Sequence, residues 1–304
     1  MKSLYFIVAI FFAGSTFAQE DNSDRSAIAQ VVDTIIEQDQ KTPHKYRMNY
    51  WFSAGLSVVA TAANIYAIPN IIKAKPQLTD EEINSLNTKV FNGFDRWALE
   101  QDPSKRDINY RNSDYLLPAI IVSTGLLGFD KEIRKDWLRI FMMYYETHAI
   151  TFSLYNFSFF GPAFQNKLRP VVYYDYFTYD ERRGGNNRNS LYSGHTATAT
   201  AATFFAAKVF ADYHPELGRK KYLLYGLASV PPLIEGYLRM KALAHFPTDI
   251  MVGFMIGATV GVVVPELHKF KDRKFHLGLT ATPVGPGVCL NWIPEPKKQM
   301  IFKF

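Results

Sequence analysis

The sequence is poor in cysteine, since Cys289 is the single one among 304 residues. An intrachain disulfide and a thiolate metal cluster are therefore excluded. No cysteine follows the apolar segment at the N-terminus, which excludes a lipoprotein signal. The net charge of +6 is spread along the chain without a basic block, so nothing indicates nucleic-acid binding. A diffuse positive charge favours anionic lipids or an anionic substrate.

Long uninterrupted apolar runs are also scarce, because the mean hydropathy is only −0.10. Aromatic residues are abundant by contrast: they make up 15% of the chain, with 24 Phe and 18 Tyr. This content is typical of a membrane interface or of a densely packed helical core. The chain has no internal repeat, and its length predicts one large domain or two small ones.

The N-terminal part of the chain divides into two predicted segments. Residues 1–18 predict a secretory signal, because Lys2 precedes an apolar stretch and small residues end at Ala18. An uncleaved anchor helix is the alternative, and both interpretations place the chain outside the cytoplasm. Residues 19–112 are mainly polar or amphipathic, with one apolar helix predicted over residues 51–72.

Residues 113–265 alternate apolar helical runs with polar loops, and they are predicted to form the catalytic core. We expect an all-α fold, a bundle of about six core helices. The tail, residues 266–304, contains two short strand-like runs around a Pro- and Gly-rich turn, which predict a small hairpin. The apolar helices are predicted over residues 51–72, 114–129, 137–160, 194–213, 221–240 and 247–265.

The most unusual polar cluster is Arg239, His245 and Asp249, which lies between two apolar helices. His245 and Asp249 are four positions apart, so on one helix the carboxylate would reach the imidazole. A carboxylate bonded to one ring nitrogen fixes the tautomer and leaves the other nitrogen as a nucleophile. The alternative is a helix start with an acidic first turn and a nearby histidine.

Two further clusters precede it in the chain. Ser193 is a natural N-cap for an alanine-rich helix, and Gly194 allows close backbone approach to an anion. His195 in that first turn could donate a proton to a leaving oxygen. Lys167 and Arg169 supply cations, and a guanidinium binds phosphate through a planar fork.

Together and in this order, the clusters resemble the type-2 phosphatidic acid phosphatase superfamily, which shares its core with vanadium haloperoxidases and bacterial acid phosphatases. Its signature is K-x6-RP, then PSGH, then SR-x5-H-x3-D. Residues 239–249 match the third motif from its arginine onward, residues 193–195 match the second, and residues 169–170 match the first only at Arg-Pro. The resemblance covers about residues 114–265.

Three departures concern the phosphate pocket. Pro162 lies where the family has lysine, Tyr192 replaces the proline of the second motif, and Leu238 replaces the serine of the third. One usual cation and one hydroxyl are thus absent. The candidates to compensate are Lys167 and the arginines Arg182, Arg183 and Arg188.

The resemblance implies a metal-independent phosphatase without a cofactor. In this mechanism His245 attacks phosphorus and becomes phosphohistidine, Asp249 orients it, and His195 protonates the leaving oxygen and then helps to activate water. The expected phosphate-binding groups are Arg169, Arg239, Ser193, Gly194 and Lys167.

The topology signals conflict. A cleaved signal followed by a spanning helix at 51–72 would put the active loops in the cytoplasm. The positive-inside rule puts them outside, because residues 130–135, 218–221 and 268–274 are basic. We favour the second interpretation: residues 51–72 do not span but lie in the interface or pack on the bundle.

We therefore expect an inner-membrane protein of a bacterial cell envelope with its site facing the periplasm. A site in that position implies a lipid phosphate substrate: undecaprenyl pyrophosphate, a lipid A phosphate or a phosphatidic-acid-like lipid. The alternatives are a soluble periplasmic acid phosphatase, a haloperoxidase and a non-catalytic membrane scaffold.

Overall fold

The computed structural model describes residues 44–91 and 93–269, together with the backbone of two strands, residues 275–282 and 285–292. The predicted signal at residues 1–18 lies outside the described residues. From Lys45 onward the chain forms one compact unit. The predicted polar region therefore contributes its apolar helix and its following segment to the same unit as the core.

Six long helices make up the described core, which confirms the all-α bundle. They are α1 (Tyr50–Ala74), α2 (Arg106–Ser123), α3 (Trp137–Phe157), α4 (Gly194–Tyr213), α5 (Lys221–Lys241) and α6 (Pro247–His268). Most bounds agree with the apolar runs to within a few residues. The exception is α2, which begins eight residues before the apolar run because Arg106 to Ser113 continue the helix on polar residues.

Shorter helices connect these elements. The short α-helices are Asp80–Asn84, Gly93–Arg96, Lys131–Lys135 and Tyr179–Arg183. Short 3-10 segments occur at Thr88–Val90, Trp97–Leu99, Pro103–Lys105, Thr124–Phe129, Pro170–Tyr173, Gly185–Arg188 and Pro215–Lys220. In the tail, β1 (Phe275–Thr282) pairs with β2 (Gly285–Trp292) in an antiparallel hairpin, as predicted.

Successive long helices run in opposite directions. The end of one helix and the start of the next therefore lie at the same pole of the bundle. At one pole, Tyr46 pairs with Lys269, and the guanidinium of Arg139 packs on the ring of Tyr50 at 5.5 Å. This is the basic pole, which also carries the basic residues of 131–135 and 219–221. At the other pole, the start of α4 meets the end of α5 and the start of α6. We call this end the site pole.

Helix α1 runs parallel to α3 along the bundle. The hydroxyl groups of Thr61 and Tyr145 are 2.7 Å apart, and Asn64 donates to the carbonyl oxygen of Ala149 at 3.3 Å. Helix α1 therefore packs on the bundle, which is one of the two placements expected for residues 51–72. Its other face is apolar and exposed, with Trp51, Val59, Ile65 and Tyr66 each more than half exposed.

Two of the described helices, α1 and α6, are long and apolar enough to cross a membrane. In both, most of the apolar window is not buried by the rest of the protein. Large exposed apolar patches of this kind mark interaction with a membrane or with another protein.

The segment between α1 and α2 folds over the site pole against the loop that follows α3. Leu78 donates its backbone N–H to the carbonyl oxygen of Arg183, and Arg188 binds Glu82 at 2.7 Å. Thr79 and Glu82 form a capping box at the start of the short helix there. These contacts hold the loop that carries the first and second motifs.

Helix α6 packs closely on α4 because glycine recurs at every fourth position where the two meet. A Cβ on Gly253, Gly257 or Gly261 would collide with a backbone carbonyl oxygen of α4. Small residues at such contacts let two helix backbones approach closely. The register of this contact places the start of α6 beside the start of α4, so Asp249 lies next to Ser193.

We predict that Gly257→Ala destabilises the protein by about 1–3 kcal/mol, because the added methyl group meets the carbonyl oxygen of Ala197. The matched control is Gly226→Ala on α5, where a Cβ meets nothing within 4 Å. That change should be neutral or stabilising by up to about 1 kcal/mol, since alanine favours a helix. Thermal unfolding of the two variants in detergent would test this. Equal midpoints would contradict the proposed close contact.

Candidate active site

His245 lies in the buried turn between α5 and α6 and is only 2% exposed. The chain turns there through Leu243, which has a positive φ of 55°. A non-glycine residue in this region costs about 1–2 kcal/mol. The fully buried Leu243 side chain, packed with Val171 and Val172, offsets that cost. The turn places the His245 ring facing the loop before α4.

The Nδ1 atom of His245 is 2.6 Å from the carbonyl oxygen of Ser190. A carbonyl oxygen only accepts hydrogen bonds, so Nδ1 carries the proton and donates it. The lone pair is then on Nε2, so this nitrogen can accept a bond. Burial first, and the charges of Arg169 and Arg239 next, lower the pKa of His245 well below its usual 6.5. The ring therefore stays neutral and nucleophilic at neutral pH.

The predicted hydrogen bond from Asp249 to His245 is wrong. The buried Asp249 carboxylate binds Lys167 Nζ at 2.7 Å, Ser190 Oγ at 2.6 Å and the backbone N–H of Phe246 at 3.0 Å. The four-residue spacing misled us because His245 precedes the N-cap of α6 and is not on the helix. Asp249 positions the ring indirectly, since it holds the residue whose carbonyl oxygen binds Nδ1.

Lys167, which was predicted to bind phosphate, lies against carboxylates in this structure. Its ammonium group contacts Asp249, the hydroxyl of Thr248 at 2.9 Å and Asp95 at 3.4 Å. It is not among the residues that line the cavity described below. Two carboxylates already neutralise the charge, so Lys167 supports Asp249 and adds no cation to the pocket.

Of the second cluster, Ser193 to His195, only the last two residues line the cavity. Ser193 caps α4 as predicted, since its Oγ accepts from the N–H of Thr196. The side chain is fully buried and does not line the cavity, so its predicted contact with phosphate is not supported. Gly194 and His195 do line the cavity. The Nε2 of His195 is 3.2 Å from a carboxylate oxygen of Asp114 on α2.

Arg169 and Arg239 both reach the cavity, and both are at least nine-tenths buried. Tyr110 of α2 lies between them. Its hydroxyl is 2.8 Å from Nη1 of Arg169, and its ring lies 4.3 Å from the guanidinium of Arg239. Asp114 contacts Arg239 at 3.4 Å. The Nε atoms of both arginines have no hydrogen-bond partner among the described residues.

The cavity has a volume of about 320 Å³. One half of its wall is polar and carries the two histidines and the two arginines. The other half is apolar and is formed by Ile68, Ile71, Ile72, Leu117 and Phe152. Within the described part of the chain, no cluster of three or more His, Cys, Asp or Glu side chains could hold a metal ion.

The three residues that depart from the family motifs occupy different positions relative to the cavity. Pro162 lines the cavity where the family has lysine, so this position supplies no cation. Tyr192 is fully buried and packs edge-on against Tyr155 at 5.4 Å. Leu238 is half-buried beside Arg239 and does not line the cavity.

Sequence reasoning missed Ser190, Tyr110 and Asp114. Ser190 acts through its backbone carbonyl, which leaves no signal in a sequence. Tyr110 and Asp114 belong to a helix outside the three motifs. Their spacing of one helical turn places both on the same face of α2, but nothing in the sequence indicated that this face meets the site.

Residues 145–273 match the family model of the PAP2 superfamily. No curated protein matches the chain. A solved structure, the transmembrane PAP2-type phosphatidylglycerolphosphate phosphatase from Bacillus subtilis, is 18% identical. The alignment covers 69% of this chain and 94% of that one, with a low TM-score of 0.38. The matched segment contains all three motifs, so the family match agrees with the resemblance drawn from them.

We predict that Lys167→Met destabilises the protein by about 1–3 kcal/mol and lowers kcat. The estimate is below that for a fully buried pair because Lys167 is 28% exposed. Inhibition by inorganic phosphate should change less than about twofold, since the ammonium does not face the cavity. The control is Lys135→Met, which removes an exposed pair with Glu132 and should cost under about 1 kcal/mol. A large loss of phosphate affinity in Lys167→Met would restore the phosphate-binding role.

Proposed function

We propose that this protein, which carries a PAP2-superfamily domain, is a metal-independent lipid phosphatase that acts through a phosphohistidine at His245. The observation that carries the proposal is the composition of one cavity. Two buried arginines, Arg169 and Arg239, share it with His245, His195 and an apolar wall. Buried cations without full compensation are costly, and a phosphate group offsets that cost.

In the first step, Nε2 of His245 attacks phosphorus as the bond to the leaving oxygen breaks. His195, in its protonated form, donates its proton to that oxygen, and the alcohol departs. The product of this step is phosphohistidine at His245. In the second step, His195 accepts a proton from water, which attacks phosphorus, and the P–N bond breaks to release phosphate and regenerate neutral His245.

Preorganised donors stabilise the charge that develops on the equatorial oxygens, usually the largest catalytic contribution. Arg169 and Arg239 line the cavity and offer guanidinium donors to these oxygens. The N–H of Gly194 adds the start of a long helix, where donors and dipole both favour an anion. Burial and the charge of Arg239 lower the pKa of His195 to about 4, and Asp114, 3.2 Å from Nε2, offsets only part of this. The negative charge of a bound phosphate favours the protonated form that the first step requires.

The apolar half of the cavity supports a lipid substrate. Ile68, Ile72 and Phe152 line the cavity and are each more than a third exposed, so hydrocarbon attached to the phosphate has apolar surroundings that reach the protein surface. Phosphatidic-acid-like lipids, lipid A phosphates and undecaprenyl pyrophosphate all combine a phosphate with such hydrocarbon. The exposed apolar faces of α1 and α6 support an integral membrane protein.

We propose that the site pole faces the periplasm of a bacterial inner membrane. The support is the charge of the opposite pole, since cytoplasmic segments carry an excess of Lys and Arg. The pairing of Tyr46 with Lys269 places the start of α1 at the basic pole, which is the cytoplasmic side in this orientation. If α1 crosses the membrane, this placement is incompatible with a cleaved export signal at residues 1–18. The predicted export signal and the distribution of basic residues thus favour different orientations. We give more weight to the basic residues because they recur in several segments.

The test is phosphate release from a panel of lipid phosphates and small phosphate esters by purified wild type and His245→Gln. We expect hydrolysis of at least one lipid, and a loss of at least about 10³-fold in kcat for the variant, since the nucleophile is removed. The matched control is His214→Gln, a histidine that pairs with Asp130 at the basic pole and should retain activity.

Three other outcomes distinguish the alternatives. Equal phosphate release by wild type and His245→Gln would refute the mechanism. Hydrolysis of small esters alone would favour a soluble-substrate acid phosphatase. Peroxide-dependent bromination with vanadate and no phosphate release would favour a haloperoxidase.

A further inference from the structure

Tyr155 lines the catalytic cavity but has no part in the mechanism above. It lies near the end of α3, and its hydroxyl group has no hydrogen-bond partner among the described residues. The hydroxyl oxygen is also not one of the buried polar atoms that the fold closes off from solvent. The charges of Arg169 and Arg239, which line the same cavity, both act on this group. The cavity wall therefore carries a neutral donor that the described part of the protein does not use.

The position of the Tyr155 ring is fixed by the start of α4. A Cβ on Gly194 would lie 3.0 Å from Cε2 and 3.4 Å from Cζ, the ring carbon that bears the hydroxyl. Only glycine lets the ring approach the helix backbone this closely. The hydroxyl-bearing end of the ring therefore lies beside Gly194, whose N–H binds phosphate in the proposed mechanism.

Two of the three motif departures adjoin this residue. Tyr192, which replaces the proline of the second motif, packs edge-on against the Tyr155 ring at 5.4 Å. Pro162, which replaces the lysine, follows Gly161, where a Cβ would collide with the carbonyl oxygen of Tyr155. The chain after α3 thus folds back onto Tyr155, and Pro162 lines the cavity with it. The missing lysine and the unused hydroxyl therefore belong to the same part of the wall.

Packing explains the ring of Tyr155 but not its hydroxyl, because phenylalanine would fill the same space. Water is the partner of an accessible hydroxyl when no substrate is bound. A phosphate oxygen is a stronger acceptor than water, since it is charged and the two arginines of the cavity hold it there. We infer that the Tyr155 hydroxyl donates a hydrogen bond to the bound phosphate group and takes the place of the donor that Pro162 lacks.

This inference rests on the proposed function and adds a phosphate-binding residue to its site. The hydroxyl keeps its proton in both steps, so the proton transfers remain with His195. A phenol carries no charge, so the pocket uses one neutral donor where the family has a lysine. The contact is made to the phosphate group itself, which makes inorganic phosphate a suitable probe.

The test is the binding of inorganic phosphate by purified wild type and Tyr155→Phe. Binding is measured by the rise of the thermal unfolding midpoint with phosphate concentration, and by inhibition of turnover. We expect the dissociation constant for phosphate to rise about tenfold or more in the variant, because it loses one hydrogen bond to an anion. The value of kcat/KM should fall by a similar factor. Without phosphate, the unfolding midpoint should equal that of wild type, since the hydroxyl has no partner among the described residues.

Tyr144→Phe is the matched control, because it removes a hydroxyl group from the same helix outside the cavity. The Tyr144 hydroxyl donates to the carbonyl oxygen of Ile121 at 2.8 Å, so this variant should lose stability and keep its phosphate affinity. Unchanged phosphate affinity in Tyr155→Phe, or an equal loss in Tyr144→Phe, would overturn the inference and leave the phosphatase intact. The midpoint measurement does not depend on turnover. A wild type that binds phosphate and hydrolyses no ester would therefore refute the proposed function alone, and one that binds no phosphate would overturn both.

Discussion

The arrangement of two like-charged guanidinium groups in one buried cavity is the constraint on which the rest of the structure depends. Arg169 and Arg239 lie on either side of Tyr110, and each is at most 8% exposed. Two buried cations repel each other, and Asp114, which is largely exposed, offsets only part of their charge. Such a site is stable only if the scaffold holds it firmly, and its natural complement is an anion.

The two arginines are held in place because elements from distant parts of the chain meet at the site pole. Helix α2 contributes Tyr110, the loop after α3 contributes Arg169, and the end of α5 contributes Arg239. The glycine contacts between α4 and α6 fix the two helix starts relative to each other. Behind His245, Lys167 binds Asp249, Asp249 binds Ser190, and Ser190 holds the ring through its carbonyl oxygen. The His245 ring is thus positioned by a chain of hydrogen bonds whose side chains do not line the cavity.

Much of the fold was predictable because the helices follow apolar runs and their capping residues. The resemblance also identified the cavity residues Arg169, Gly194, His195, Arg239 and His245. The errors have a common physical cause. Sequence spacing describes neighbours along a helix, but His245 lies in a turn before α6, so Asp249 could not be placed from spacing. Likewise, the direction of the Lys167 side chain depends on Asp95 and Thr248, which come from other parts of the chain.

The central claim is that His245 becomes covalently phosphorylated. The most direct measurement is a rapid quench of the purified protein during turnover of a lipid substrate labelled with ³²P in its phosphate. The account predicts an acid-labile, alkali-stable label on the peptide that contains His245, and no label in His245→Gln. Turnover with no protein-bound label at any time, or a label that remains in the variant, would contradict it.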